Sequence, residues 1–386
     1  MRCAGFSIVE MLVAATIALV AASAVFALID RAFAAVQAQP EAADVQQRTR
    51  VAADALVGDL LAAGSGPDRG PRAGSLLQSF PPILPFRSGS TSDDPPGSYF
   101  TDRITIRYVP VASPHATLAA AGPPLDSDWI GVDPQPQCPP IDPLCLFSVG
   151  TAAAIFDDSG QVDLVTLTAI ASTPPAPSVQ HAAQPLAFAA YDSPATAIVG
   201  VANVVYSLDR SSGQLRVANG LRASDAPLAD NVADLVFSYL GDPQPPQLGT
   251  YGPQPPPIGV QGPNPSWPPG ENCAFAVEGT GEQGVHVPRL PVLGGGSTLV
   301  PLSASQLTDG PWCPDPSSSA RWDADLLRIR AVSVTLRVQA AVAALRGPAS
   351  TLFASAGTGR DPARWVADRQ VAFRVAPRSM NLGRAP

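Results

Sequence analysis

The sequence predicts an α+β protein, with one long N-terminal helix packed on an antiparallel β-sheet that belongs to a large C-terminal head. An apolar run near the N-terminus passes into a stretch with helical periodicity. Six later segments alternate apolar and polar residues and are rich in β-branched side chains. Charged residues make up only 15% of the chain, whereas 44 residues are Pro and 32 are Gly, a composition that favours short extended pieces joined by loops.

The N-terminal apolar run is long enough to cross a membrane. It covers 24 residues from Phe6 to Ile29, with Glu10 as its one charged residue, and a helix of that length measures about 36 Å. A cleaved secretory signal peptide is one alternative, because Ala-rich candidate cleavage sites follow the run. An ordinary anchor with a chance carboxylate is another. Neither alternative explains the presence of Glu10, although a charge at the centre of a membrane helix costs on the order of 2.5 to 3.5 kcal/mol.

The residues around the start of this run carry a family resemblance. A short leader with one basic residue, then Gly5, Phe6 and Ser7, then Glu10, together resemble the type IV prepilin cleavage motif. The resemblance implies that prepilin peptidase cuts between Gly5 and Phe6 and methylates the new Phe6 amine. It also implies that Glu10 pairs with the Phe6 amine of a neighbouring subunit during assembly, since a carboxylate in lipid is tolerable when a cation neutralises it.

The resemblance also implies a place in the cell. The chain would be a single-pass protein of the bacterial inner membrane, with its head in the periplasm or outside, and later part of a pilus or pseudopilus, at or near the tip. Arg2 in the leader favours the same orientation through the positive-inside rule.

The sequence divides into a leader, a membrane helix, an amphipathic continuation of that helix and a β-rich head, at residues 1–5, 6–29, 30–66 and 67–386. The continuation has an apolar stripe at helical spacing, made of Val45, Ala52, Leu56, Leu60 and Ala63. We expect this stripe to lie on the sheet and the helix to stop near Gly64. Pro40 predicts a kink or a break, and two separate helices with Pro40 in the first turn of the second are an equal alternative.

The head is predicted to contain strands at 103–111, 162–170, 198–208, 231–240, 326–338 and 369–376. Residues 156–163 and 208–217 carry the turn residues of antiparallel hairpins. From 241 to about 316 the sequence is dominated by Pro and Gly, which predicts a long excursion with little regular structure. Parts of the second hairpin and of the last two strands loosely resemble the larger minor pilins of the PilW type and the J-type pseudopilins of type II secretion. The resemblance implies a pilin-like fold.

Four of the five cysteines predict disulfides. Cys138 with Cys145 and Cys273 with Cys313 lie in Pro-rich, loop-like sequence without any CxxC spacing, which suits disulfides formed in an oxidising compartment better than a zinc site. Four buried thiols are the alternative. Three connectivities are possible, and pairing of sequence neighbours is the simplest, with the second pair pinning the Pro-rich excursion. Cys3 would leave with the leader.

The sequence contains none of the catalytic motifs GxSxG, HExxH and SxxK, so we expect neither an enzyme nor a cofactor. GTGEQG at 279–284 matches GxGxxG literally, but Pro288 disfavours the helix that a dinucleotide site needs. The turn at 156–163 offers Asp157, Asp158 and Asp163 as Ca²⁺ ligands, and a plain hairpin turn is the favoured interpretation. We expect no metal site at the histidines and place all three in exposed loops: His115, His181 and His286.

The function that the resemblance implies is structural. The chain would be a minor pilin or pseudopilin that initiates or caps a type IV pilus-like filament, with prepilin peptidase, other pilins or pseudopilins and the inner membrane as partners. A net charge of -8 and scattered basic residues exclude an extended nucleic-acid surface. The alternatives are an adhesive or cargo-binding module on a pilin anchor, in a type II secretion or DNA-uptake apparatus, and, more distantly, a hydrolase.

Overall fold

The computed structural model describes residues 7–67, 74–89, 92–119, 128–157, 162–172, 177–181, 196–219, 222–249, 251–262, 264–279 and 283–382. These residues form two compact units. The helix unit contains the described residues up to Arg50 together with Arg337–Gln370. The sheet unit contains the described residues from Val51 to Leu336 and from Val371 onward.

One helix, α1, runs from Ile8 to Ala62 over 55 residues. Its end is set by Gly64, which adopts a φ of 76°. Glycine takes this left-handed conformation without the steric cost that a Cβ adds, so it stops a helix readily. The end predicted near Gly64 and the apolar stripe are both confirmed, since all five stripe residues are buried.

The helix is not broken at Pro40, so a break there and the alternative of two helices are wrong, and a kink at Pro40 stays a prediction. Proline lacks the N–H that would bond to the carbonyl four residues earlier, at a cost of about 3 kcal/mol. The following turns are held from outside the helix. Glu41 Oε1 accepts the backbone N–H of Ala341 at 2.6 Å, and Arg48 pairs with Glu41 at 3.0 Å and donates to the carbonyl of Gln339.

Eighteen strands lie in the described residues: β1 Ile83–Leu84, β2 Arg103–Tyr108, β3 His115–Thr117, β4 Trp129–Gly131, β5 Ala152–Phe156, β6 Val162–Ala171, β7 Ser178–His181, β8 Ala197–Asp209, β9 Gln214–Asn219, β10 Arg222–Ala229, β11 Val232–Gly241, β12 Phe275–Glu278, β13 Val285–Pro288, β14 Val300–Leu302, β15 Trp312–Cys313, β16 Trp322–Asp323, β17 Ile329–Val338 and β18 Arg369–Val375. A strand is confirmed in each of the six predicted segments, although residues 326–328 of the segment predicted at 326–338 belong to a 3-10 turn, and the hairpins β5–β6 and β8–β9 are confirmed. With α1 they make the chain α+β.

The largest sheet has ten strands, with the path β1-β2-β8-β5-β6-β7-β4 and with β3, β9 and β10 beside it. Its central strand β8 pairs antiparallel with β2, β3, β5 and β9. Twelve of the thirteen β8 residues are buried, because the sequence AIVGVANVVYSL is almost continuously apolar and suits a strand covered on both faces. A second sheet has the order β14-β11-β17-β18.

Within the sheet unit, the last turns of α1 pack on the large sheet. Ala52, Leu56 and Leu60 are buried. The carboxylate of Asp59 accepts the hydroxyl of Tyr108 on β2 at 2.9 Å and the hydroxyl of Tyr206 on β8 at 2.5 Å. One helix side chain therefore joins two neighbouring strands.

Both sequence-adjacent cysteine pairs form disulfides, as predicted. Cys138 bonds Cys145 across a separation of 7 residues, and Cys273 bonds Cys313 across a separation of 40. The second bond ties the Pro-rich excursion, which contains β12 to β15, none of them longer than four residues. Trp267 closes the same region by donating its indole N–H to the carbonyl of Pro314 at 2.9 Å.

Candidate assembly segment at the start of the helix

The first turn of α1 is a capping box built by Ser7 and Glu10. The Ser7 hydroxyl accepts the backbone N–H of Val9 at 3.3 Å, and Glu10 Oε2 accepts the backbone N–H of Ser7 at 3.0 Å. Side chains in this S-x-x-E arrangement satisfy N–H groups that the first turn of a helix leaves without partners. The sequence signal was present as SIVE (7–10), and sequence reasoning missed it.

The capping box changes the account of Glu10. Its carboxylate lies in the first turn of the helix, where the helix dipole favours a negative charge, and not at the centre of the apolar run. The desolvation cost of a mid-membrane charge therefore does not apply in full. Oε1 of Glu10 has no hydrogen-bond partner among the residues that the structure describes, so one oxygen remains available to a cation from outside.

The surface that follows Glu10 is apolar and uncovered. Every residue from Ser7 to Ile29 is exposed, and the 22-residue stretch Ile8–Ile29 is 0% buried and long and apolar enough to cross a membrane. The core helix of a soluble protein can be equally long and apolar, but it is mostly buried, so that explanation fails here. A signal sequence near the N-terminus can also be this long and apolar.

Gly5 and Phe6, the predicted cleavage and methylation residues, lie outside the described residues. The described residue nearest to the predicted cut is Ser7. Its backbone N–H belongs to the peptide bond with Phe6, which cleavage between Gly5 and Phe6 leaves intact. The bond from this N–H to Glu10 is therefore compatible with a processed chain.

The histidines lie on strands, so their predicted placement in exposed loops is wrong. His115 is on β3, His181 is buried on β7, and His286 on β13 shares a 2.9 Å hydrogen bond with the carbonyl of Gly270. These strands have three or four residues each, too few for alternation to reveal them in the sequence.

The acidic cluster Asp309, Asp323 and Asp325 is the group in the described residues whose oxygens lie close enough to hold a cation, within 4.8 Å of one another. Oxygen ligands of this kind suit Ca²⁺ or Mg²⁺. Asp323, however, already accepts the N–H groups of Gly310 at 2.6 Å and Asp325 at 2.8 Å, and Asp325 pairs with Arg328 at 2.5 Å. These contacts explain the two buried carboxylates without a cation, because both hold the backbone and side chains of residues 310–328 in place.

Two carboxyl groups of the same cluster have raised pKa values. Burial raises the pKa of Asp323 to about 7 and that of Asp325 to about 6. The Asp309 carboxylate adds to both shifts, while Arg328 opposes the shift at Asp325. A carboxyl group removed from water favours its neutral form, and a second negative charge nearby strengthens that preference.

Two other sequence candidates have structural explanations. Gly279 lies between β12 and β13, which pair antiparallel, so the GTGEQG match is followed by a strand and the dinucleotide interpretation stays rejected. The β5–β6 pairing confirms the predicted hairpin, with Asp157 and Asp163 buried on either side of its turn, and Asp158 lies outside the described residues.

No protein-family model, curated protein or solved structure matches the chain.

Proposed function

We propose that the chain is a structural subunit of a type IV pilus-like filament, of the minor pilin or pseudopilin kind. Prepilin peptidase cleaves it between Gly5 and Phe6 and methylates the Phe6 amine. The apolar half of α1 anchors the subunit in the inner membrane and then joins the filament, and the pilin-like head initiates or caps that filament from the outer side of the membrane.

The observation that carries the proposal is the position of the Gly5-Phe6-Ser7 and Glu10 pattern at the start of an apolar helix whose residues 7–29 are all exposed. A surface of 22 residues that is 0% buried needs lipid or other apolar helices around it. The two disulfides of the sheet unit support a role outside the cytoplasm, in an oxidising compartment.

Glu10 gives the proposed assembly step its chemistry. Oε2 holds the first turn of its own helix through Ser7, and Oε1 accepts the charged Phe6 amine of an adjacent subunit. A charge that is paired in this way costs less in an apolar environment than one left alone. The Glu10 carboxylate of one subunit and the Phe6 amine of the next are different surface features, so this head-to-tail contact is heterologous, which suits an open filament.

Mass spectrometry of the protein from the membrane fraction tests the processing step. The proposal predicts a chain that begins at Phe6 with one methyl group on its amine. A chain that retains Met1, or that begins at any residue other than Phe6, contradicts it. A start beyond Ile29 would favour the signal-sequence explanation of the apolar run.

An adhesive or cargo-binding module on the same anchor is the second candidate. It is favoured by exposed apolar side chains on the disulfide-pinned excursion, such as Leu248, Val260 and Val292. Crosslinking the full chain in detergent with sheared filament proteins and, separately, with secreted proteins separates the two roles. The assembly role predicts products with other filament subunits, and the adhesive role predicts products with secreted or surface proteins alone.

A further inference from the structure

The sheet unit holds a polar cavity of about 420 Å³ that the filament role does not use. It lies over strands β2, β8 and β9, and four arginines and three aspartates line it: Arg87, Arg103, Arg210 and Arg216 with Asp102, Asp209 and Asp225. Its volume is within the range of small-ligand sites, but its lining is unusually polar for one.

Strand register builds the floor of the cavity. Arg103 on β2 is directly opposite Ser207 on β8, and Ser207 is opposite Arg216 on β9. Residues opposite one another across a strand pair point to the same face, and neighbouring strands are about 4.8 Å apart. The two arginine side chains therefore project from the same face of the sheet about 10 Å apart, with the small serine between them. This arrangement leaves a depression above Ser207.

Ion pairs fix the cavity walls in place. Oδ1 of the buried Asp94 pairs with Nη2 of Arg87 at 3.0 Å and with Nη1 of Arg103 at 2.5 Å. On the rim, Arg210 pairs with Asp102 at 2.9 Å. Guanidinium groups held by carboxylates on one edge keep their remaining donors in a fixed direction, which lowers the entropic cost of binding a ligand.

Three of the four guanidinium groups still have a terminal nitrogen to offer. Within the described part of the chain, Nη1 of Arg87, Nη2 of Arg103 and Nη1 of Arg210 make no hydrogen bond or ion pair. Each carries two N–H donors. The open donors of the cavity therefore suit an acceptor that takes several N–H bonds at once, which is what carboxylates and phosphates do.

Charge decides between these two anions. The four lining arginines are balanced by the three lining aspartates and by Asp94, so the site has no surplus positive charge for a dianion. A phosphate would meet three carboxylates on the same walls. A single carboxylate flanked by N–H groups fits both kinds of wall, because its oxygens accept from arginine and the N–H groups donate to aspartate.

We propose that this cavity binds the side-chain carboxylate of an acidic peptide segment from a partner protein, above Ser207, with the unused terminal nitrogens of Arg87, Arg103 and Arg210 as its donors. The proposal does not depend on the filament role, since it rests on the sheet unit alone. It gives the head a recognition site for which an Asp or Glu in an extended, solvent-exposed segment is the matching feature.

Binding of short peptides to the full chain in detergent tests the proposal. The probes are fluorescently labelled pentapeptides Gly-Gly-Asp-Gly-Gly and Gly-Gly-Asn-Gly-Gly, blocked at both ends, with inorganic phosphate as a competitor. We expect the Asp peptide to bind at least tenfold more tightly than the Asn peptide. Equal binding of the two peptides, no saturable binding of the Asp peptide, or tighter binding of phosphate than of the Asp peptide would overturn the proposal.

Two variants locate the binding. Arg210→Gln removes an arginine that is 59% exposed, so the fold tolerates the change, and we expect the Asp peptide to bind five- to tenfold more weakly. Arg378→Gln is the matched control, because Arg378 is exposed and does not line the cavity, and its affinity should equal that of the wild type. Equal losses in both variants would show a nonspecific charge effect and would also overturn the proposal.

Discussion

The two ends of helix α1 are both rich in apolar residues, yet they have opposite surroundings. The 22 residues of Ile8–Ile29 are 0% buried, whereas Ala52, Leu56 and Leu60 near the other end are completely buried. The difference is in what the chain supplies to cover them. One end has a β-sheet for its apolar stripe, and the other has no covering from the described residues of its own chain, which indicates that its partner is lipid or another helix.

The carboxylates at the two ends differ in the same way. Asp59 accepts two tyrosine hydroxyls from two strands, so it belongs to the fold. Glu10 accepts one backbone N–H from its own helical turn, which caps the helix and leaves one oxygen open. Substitutions can test this contrast between a buried segment that serves folding and an exposed segment for which we propose a role in assembly.

The largest effect on stability is expected at the buried end. Leu56→Ala removes a fully buried side chain and should lower the free energy of unfolding by about 2 to 5 kcal/mol. Leu12→Ala, at the exposed end, is the matched control and should change it by less than about 0.5 kcal/mol. Guanidinium unfolding of the full chain in detergent, followed by tryptophan fluorescence, measures both. Comparable losses would mean that the exposed end is also covered in solution.

A smaller loss of stability is expected when one of the two tyrosine hydroxyls that bond to Asp59 is removed. Tyr206→Phe removes the 2.5 Å bond to Asp59 and should cost about 1.5 to 3 kcal/mol, the usual range for a hydrogen bond to a charged group. Tyr108→Phe is the companion variant. The double variant should lose more than the sum of the two, because Asp59 then has neither tyrosine hydroxyl as a partner. Additive losses would argue against a shared contact.

The smallest effect concerns the acidic cluster and depends on pH. Because the folded-state pKa of Asp323 is raised to about 7 and that of Asp325 to about 6, their neutral forms favour folding. The sheet unit should therefore lose stability as pH rises from about 4 to 7. Asp309→Asn removes a neighbouring charge and should restore a few tenths of a kcal/mol at pH 8 and nothing at pH 4. Thermal unfolding at both values of pH checks this, and a gain at pH 4 would contradict it.

Sequence patterns predicted those parts of the fold in which a local signal matches the final environment. The long strands, the hairpins, the buried stripe of the helix and its end near Gly64 all have period or turn residues that act locally. Both disulfides followed sequence proximity. The predicted break at Pro40 is wrong because the local cost of proline is outweighed by contacts of Glu41 and Arg48 with residues about 300 positions away.

The cavity could not be predicted from the sequence. It depends on register, which places Arg103, Ser207 and Arg216 in one row although more than 100 residues separate the first two. Nothing in the local sequence of any of the three indicates this row. The capping box was the opposite case, since Ser7 and Glu10 are three residues apart and the pattern could be found without a structure.

In the proposed assembly step Glu10 supplies a charge to a neighbouring subunit as well as a cap to its own helix. Glu10→Gln tests it most directly, because glutamine can still accept the Ser7 N–H in a capping box but has no charge. Ser7→Ala is the control, since it removes the Oγ contact and keeps the charge. The measurement is the amount of processed chain in sheared filaments relative to the membrane fraction. We expect at least a tenfold loss for Glu10→Gln and near-normal recovery for Ser7→Ala, whereas normal recovery of Glu10→Gln would show that assembly does not need the charge.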